Sequence, residues 1–297
     1  MADSPKPTLA AAYAHCEALL REHDKDRFLA DLFLPASVRP HAQALHAFSF
    51  EIARLREVAR EPMAGELRQQ WWRDALGGSA RGEVAAHPVA AALVDTLDRF
   101  GLERRGLEAL IDARIFDLYD DPMPDLATLE SYCRATSCVL FALIGAMVGA
   151  VTREGPRGAA NEIARAQPLI DEAADAAGLA YAFTGLIRAF AFHAAQGRLY
   201  LPVDMLRQRG SSPEEALGER ATPSLLAAIG DWRAEACRHL AAARAAAARL
   251  PKALRPVFLP LVLVAPYLRQ TEAEGYDPFR SAIELAQWRR QWILWRG

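Results

Sequence analysis

Lysine is almost absent from this chain of 297 residues: of 35 basic residues, only Lys6, Lys25 and Lys252 are lysines. The remainder are arginines, and against 37 acidic residues they leave a formal charge of −2. A general nucleic-acid binder carries a basic excess that this chain lacks. Arginine and alanine rise together under GC-rich coding, so arginine count alone marks no phosphate site. Cysteine is scarce too. Cys16, Cys133, Cys138 and Cys237 form no CxxC pair and have no histidine cluster near them, which excludes a zinc module and a disulfide scaffold. Free thiols suit a reducing cytoplasm. The first twenty residues lack the basic start and long apolar run of a signal peptide. The longest apolar run, Val139–Val151, has thirteen residues and is too short to span a bilayer. These absences predict a soluble, cytoplasmic protein and leave room for peripheral membrane contact. Alternating strand patterns, a glycine-rich phosphate loop, HExxH and GxSxG are also missing.

What is present is alanine, about 60 residues or one in five. Alanine is the best helix former and a poor strand former, so an all-α fold is expected. Helical periodicity places helices over Thr8–Glu22, Arg27–Phe33, a long stretch capped by Ser37 and reaching Arg60, Met63–Leu76, His87–Phe100 and Glu103–Leu118. Leu126–Ala150 reads as one long apolar helix, and Asn161–Ala195 as another after a turn at Gly155–Gly158. Arg198–Asp204 reads as an extended link. Short helices follow near Asp204–Arg209 and Pro213–Leu217, then longer ones over Pro223–Arg249, Pro251–Arg269 and Pro278–Trp295. No fixed-period repeat and no long linker divides the chain, so a single domain, 1–297, is expected.

Acidic residues cluster at Asp24/Asp26, at Asp112/Asp117/Asp120/Asp121 and at Asp171/Glu172/Asp175. Asp117–Asp121 and Asp171–Asp175 have the i, i+4 spacing that puts two carboxylates on one helical face, as metal-assisted chemistry requires. Spacing alone equally fits solvated faces or helix starts, where the dipole favours acids.

Three segments carry more. The first is Ala44–Glu57 (ALHAFSFEIARLRE) with Leu67–Leu76 (LRQQWWRDAL). The second runs from His87 through Asp112–Leu118 to Leu129–Arg134 (LESYCR). The third is Gly178–Arg188 (GLAYAFTGLIR), ending in Gly197–Leu206 (GRLYLPVDML). In order and spacing they resemble the squalene/phytoene synthase family of head-to-head prenyl transferases. The resemblance implies an isoprenoid-synthase-type helical bundle around a central cavity that holds prenyl diphosphates. It also implies two aspartate-rich motifs whose magnesium ions stabilise the charge of a departing diphosphate.

The chain departs from the family at those motifs. The first, A-F-x-R-x-x-D-D-x-x-D, reads Ala47–Glu57 here, so the three acids map to Ala53, Arg54 and Glu57. The second, Q-L-T-N-I-L-R-D-x-x-E-D-x-x-x-G-R, reads Ala182–Arg198, and its acids map to Ala189, Phe192 and His193. Only Glu57 remains acidic of the six positions. A fixed positive charge at Arg54 repels a dication, and one carboxylate cannot hold several. The expectation is therefore no catalytic residue, no metal and no cofactor; Mg²⁺ would be required only if prenyl transfer persists with altered metal binding.

Arg188, Arg198 and Tyr200 match the family pattern, and the two arginines either hold an anion or cap helix ends and pair locally. With Arg54, Glu57 and His193 they form the candidate ligand-binding set. The form of the first motif and the ending Trp288–Arg296 resemble most the aspartate-depleted subgroup containing the mitochondrial complex I assembly factor and bacterial relatives. That subgroup implies a binding or assembly role, with a respiratory complex I subunit or an isoprenoid or lipid ligand as partner. It also implies placement in the cytoplasm or at the periphery of the inner membrane. Trp288, Trp292 and Trp295 fall at i, i+4, i+7 on one helical face, which serves either core packing or an exposed interface.

Overall fold

The computed structural model describes residues 8–59, 61–80, 84–153, 163 and 165–297. Among them no strand occurs, as the alanine content predicts. In chain order the helices are α1 (Leu9–His23), α2 (Lys25–Asp31), α3 (Arg39–Ala53), α4 (Leu55–Val58), α5 (Pro62–Gly77), α6 (Pro88–Phe100) and α7 (Arg105–Ala113). Then come α8 (Leu126–Cys133), a π-helical turn (Arg134–Cys138), α9 (Val139–Arg153), α10 (Gln167–Arg188) and α11 (Phe190–Ala194). After these follow α12 (Val203–Gln208), α13 (Pro213–Ala216), α14 (Pro223–Ala248), a 3₁₀ stretch (Lys252–Leu263), α15 (Val264–Leu268) and α16 (Gln287–Arg296). The turn expected at Gly155–Gly158 and the helix start at Asn161 lie outside the described residues.

Two compact units are interleaved along the chain. The first is Met1–Leu118, Leu143–Arg165 and Pro251–Val257. Its centre is the packing of α1, α3 and α6. Thr8 caps α1 by accepting from the Ala11 amide. The apolar faces Ala12/Cys16/Leu20, Leu45/Phe48/Ile52 and Val89/Leu93/Leu97 are buried together. A polar staple joins the same helices: Tyr13 donates to Asp95 at 2.6 Å, and its hydroxyl lies 2.8 Å from His41 Nδ1. Thr96 donates to the Ala92 carbonyl at 2.8 Å, completing the set. Trp72 is buried and packs edge-on against Phe48.

The second unit is Tyr119–Ala142, Ala166–Leu250 and Phe258–Gly297. Its spine is the long pairing of α10 with α14. Ala173, Ala177 and Ala180 on α10 and Ala228, Ala236 and Ala243 on α14 are buried, so short side chains let the two backbones approach. Met123 holds the link after α11 in place: its amide donates to the Leu199 carbonyl at 2.9 Å and its carbonyl accepts from the Val203 amide. The link expected at Arg198–Asp204 is non-helical only over 198–202, because Val203 and Asp204 already open α12.

Several sequence expectations need correction. The stretch from Ser37 to Arg60 is not one helix, and Ser37 is not its cap; α3 begins at Arg39 without a side-chain cap bond and breaks at Arg54. The helix read through Ala195 breaks at Ala189. Pro251–Arg269 is largely 3₁₀, because Pro256 and Pro260 each remove an amide donor from an α-helical ladder. Residues 281–286 are not helical, and the last helix starts only at Gln287. The continuous helical stretch Leu126–Arg153 has 28 residues, longer than the apolar run inside it, and is long and apolar enough to cross a membrane by length and composition. Of its most apolar window 56% is buried inside the protein, the behaviour of a core helix.

Candidate functional site

The two vacated motifs share one local geometry, each within its own unit. In the first unit, Arg54 ends α3 and starts α4 with φ −90°, ψ 3°. In the second, Ala189 ends α10 and starts α11 with φ −89°, ψ 8°. Both residues occupy the sparsely populated bridge between helix and strand conformations, which recurs at active sites. In each motif the backbone breaks at a position where the family pattern has aspartate and this chain does not.

At the first break Ala53 and Arg54 are partly buried and Glu57 is exposed. The Arg54 guanidinium lies 5.3 Å from the Phe50 ring centroid, and Phe50 in turn stacks on His23 at 5.0 Å. Phe50 stands where the family pattern has arginine. The cation has moved to an aspartate position and rests on the aromatic that replaced the original cation, a favourable cation–π arrangement. Arg56 faces away, donating to the Leu118 carbonyl at 2.7 Å.

At the second break the structure brings four candidates together and leaves one apart. The His193 ring lies 4.7 Å from Tyr200 and 5.5 Å from Phe192, and the Arg198 guanidinium 5.8 Å from Phe192. Arg198 is buried and donates to the Gln196 side-chain oxygen, while its Nε has no hydrogen-bond partner among the described residues. Tyr200 is buried against Tyr132 of the LESYCR segment, and Phe192 is 49% exposed. Arg188 points elsewhere. Its guanidinium sits 3.6 Å from the Tyr267 ring and its Nε donates to the Ile283 carbonyl at 3.3 Å. Both contacts lie far from Arg188 in sequence, and neither is with an acid.

The donor set does not fit magnesium. A hard dication takes carboxylate and carbonyl oxygens. The first motif offers a methyl group, a guanidinium and one exposed carboxylate; the second offers a methyl, a phenyl ring and an imidazole.

The acidic clusters have local partners. Asp117 is buried and pairs with Arg114 at 2.8 Å, Asp24 caps α2, and Glu172 and Asp175 pair with Arg249 and Arg134. Spacing alone missed a cluster on Glu130, Glu235 and His239, whose ligand atoms lie within 4.8 Å of one another. Its sequence signal was Glu130 of LESYCR with an i, i+4 Glu/His pair on α14. Arg134 and Arg238 hydrogen-bond the Glu130 carboxylate at 3.1 and 3.4 Å, so cations of the protein already occupy it. Burial, then Arg238, lowers the pKa of His239, against the pull of Glu130.

The family signatures meet at a packing point. A Cβ on Gly178 would lie 2.4 Å from Cys138 Cα, so α10 touches the π-helical turn backbone to backbone. The apolar surroundings push the Cys138 thiol up to about 12. Thr136 and Thr184 satisfy their hydroxyls on carbonyls one turn back, Tyr132 and Ala180. These signature residues build the scaffold.

Comparisons with known proteins follow the same pattern. Complex I assembly factor 6 of Rattus norvegicus is 27% identical over 278 residues, 94% of this chain and 79% of that protein. Presqualene diphosphate synthase of Rhodopseudomonas palustris is 29% identical over 77% of this chain and 76% of its own. A dehydrosqualene synthase crystal structure superposes with a TM-score of 0.72 at 17% identity, covering 97% of this chain and 95% of that one, which establishes the isoprenoid-synthase helical fold. The squalene/phytoene synthase family model matches residues 20–296, and the chain belongs to that family.

Proposed function

We propose that this protein performs no prenyl transfer and works as a binding and assembly protein in the building of respiratory complex I. One observation carries the reading. Five of the six acidic positions of the family's two motifs are non-acidic, while glycine and threonine positions that hold the fold together are retained. Ionising an allylic diphosphate demands several kcal/mol of charge stabilisation on the leaving group, and a metal is the family's means to it. Without ligands for that metal the fold keeps its shape and loses its reaction. The likeness to complex I assembly factor 6 over most of both chains supports the same role. We place the protein in the cytoplasm, peripheral at the inner membrane where that complex is built. The test is a deletion strain of the source organism. Complex I level and NADH:quinone activity fall and return with the wild-type gene; a deletion strain with normal complex I sinks the assembly role.

A second reading, an isoprenoid or lipid carrier, is favoured by Arg198. Its guanidinium retains an unsatisfied Nε beside the exposed Phe192 ring. A cation next to an apolar ring is the pairing that an isoprenoid diphosphate or an anionic lipid would use. Native mass spectrometry of purified protein checks it: a co-purified lipid, lost in Arg198→Gln, supports the carrier, and bare protein with no uptake of added farnesyl diphosphate counts against it.

A further inference from the structure

The last helix is the least expected part of the surface. Its inward positions are Arg290 and Leu294, both buried, with Arg290 donating to the Leu285 carbonyl at 3.0 Å. On the opposite side Trp288, Trp292 and Trp295 are 70%, 52% and 69% exposed. The i, i+4, i+7 stripe is therefore not core packing. Three exposed indoles on one short helix are a large unpartnered apolar face, of the kind that marks an interaction site.

Charge selects the occupant. Beside the stripe lies a groove of about 580 Å³ lined by Arg244, Arg269 and Arg289 together with Val262, Pro266 and Trp288. None of its lining residues is acidic. Arg244, Arg269 and Arg289 have no carboxylate ion pair among the described residues, and Arg296 lies over the Trp292 ring at 5.5 Å. The helix Gln287–Arg296 contains no acid and turns two arginines, Arg289 and Arg296, outward, on a chain whose net charge is −2. Basic charge is thus concentrated beside the indoles, against the sign of the whole molecule. Indoles settle at the boundary between water and hydrocarbon, and clustered arginines are drawn to anionic head groups.

We propose that this face, α16 with the adjoining arginine-lined groove, docks the protein on an anionic phospholipid surface, the indoles entering the interface and Arg269, Arg289 and Arg296 meeting phosphates. It gives a surface to the peripheral placement proposed above, and the two fail separately: vesicles test the surface, complex I level tests the role.

The experiment is flotation of the full-length protein with vesicles of phosphatidylcholine containing 30 mol % phosphatidylglycerol, against pure phosphatidylcholine, at low and high salt. Binding is expected on the anionic vesicles and weakens with salt. It falls at least tenfold in Trp288→Ser/Trp292→Ser/Trp295→Ser and in Arg269→Glu/Arg289→Glu. Exposed side chains are altered in both, and an unchanged thermal melt confirms folding. Bromine in the acyl chains quenches tryptophan fluorescence of wild type and not of the triple variant. No flotation, equal flotation on neutral vesicles, or unchanged binding by both variants overturns the proposal. So does a variant that loses a co-purifying protein while keeping its vesicle binding, since the face then serves a protein partner.

Discussion

Gly178 and Gly185 stand on the same helix and meet opposite surroundings. A side chain on Gly178 would drive into the Cys138 backbone, whereas nothing lies within 4 Å of a Cβ on exposed Gly185. Gly178→Ala should lower unfolding free energy by about 2–3 kcal/mol through overpacking against atoms that cannot swing aside. Gly185→Ala should raise it by about 0.5–1 kcal/mol, because alanine stiffens an unconstrained helix position. Urea titration of both variants checks the opposite signs. At this scale the sequence was legible as a motif and not as a cause. The pattern around Gly178 pointed to the family, but that its glycine serves a backbone contact became visible only when α10 met the π-helical turn. Arg188 is the converse case: its motif match left anion binding and local pairing equally open, and its contacts with the Tyr267 ring and the Ile283 carbonyl come from distant segments that the pattern does not show.

Among the elements, helix existence was readable and helix continuity was not. The period of apolar residues runs straight through Arg54 and Ala189, so nothing in the pattern announces the two breaks. The last helix was overextended for a different reason. In 281–286, Ile283 and Leu285 are buried and Glu284 is exposed, a two-residue period too short to outweigh the helical one that follows. Its backbone groups bond outside a helical ladder: Gln270 accepts from the Glu284 amide at 3.1 Å, and Arg188 and Arg290 donate to the Ile283 and Leu285 carbonyls.

The α8–α14 tie through Glu130 and His239 carries a pH signature. The folded-state pKa of His239 lies below its ordinary value of 6.5, chiefly by burial. Over the interval between the two values the unfolded chain binds more protons, so this histidine makes stability rise with pH up to about 6.5 and fall in acid. His41 and His87, both lowered by burial, act with the same sign. The buried Asp31 carboxyl is raised by burial and acts with the opposite sign above its ordinary value of 3.8. His239→Gln, which cannot gain the proton, should lose less stability than wild type between pH 6.5 and 5. Melting curves of the pair measure that difference, and parallel pH dependences would remove His239 from the account.

For the molecule as a whole, fold and lineage were legible because three ordered signatures survive, and they survive because they pack helices. The site was legible as a loss: alanine, arginine, phenylalanine and histidine stand where carboxylates are needed. What the sequence left open was the fate of the tryptophan stripe, since one helical face can turn inward or outward and only packing of Arg290 and Leu294 decides it. The central claim is that a family scaffold persists here without the family's magnesium chemistry. Incubation of the purified protein with farnesyl or geranylgeranyl diphosphate and Mg²⁺, following pyrophosphate release and hydrocarbon product, tests it most directly. The account predicts both at the level of the protein-free control; magnesium-dependent formation of a squalene- or phytoene-type product would contradict it.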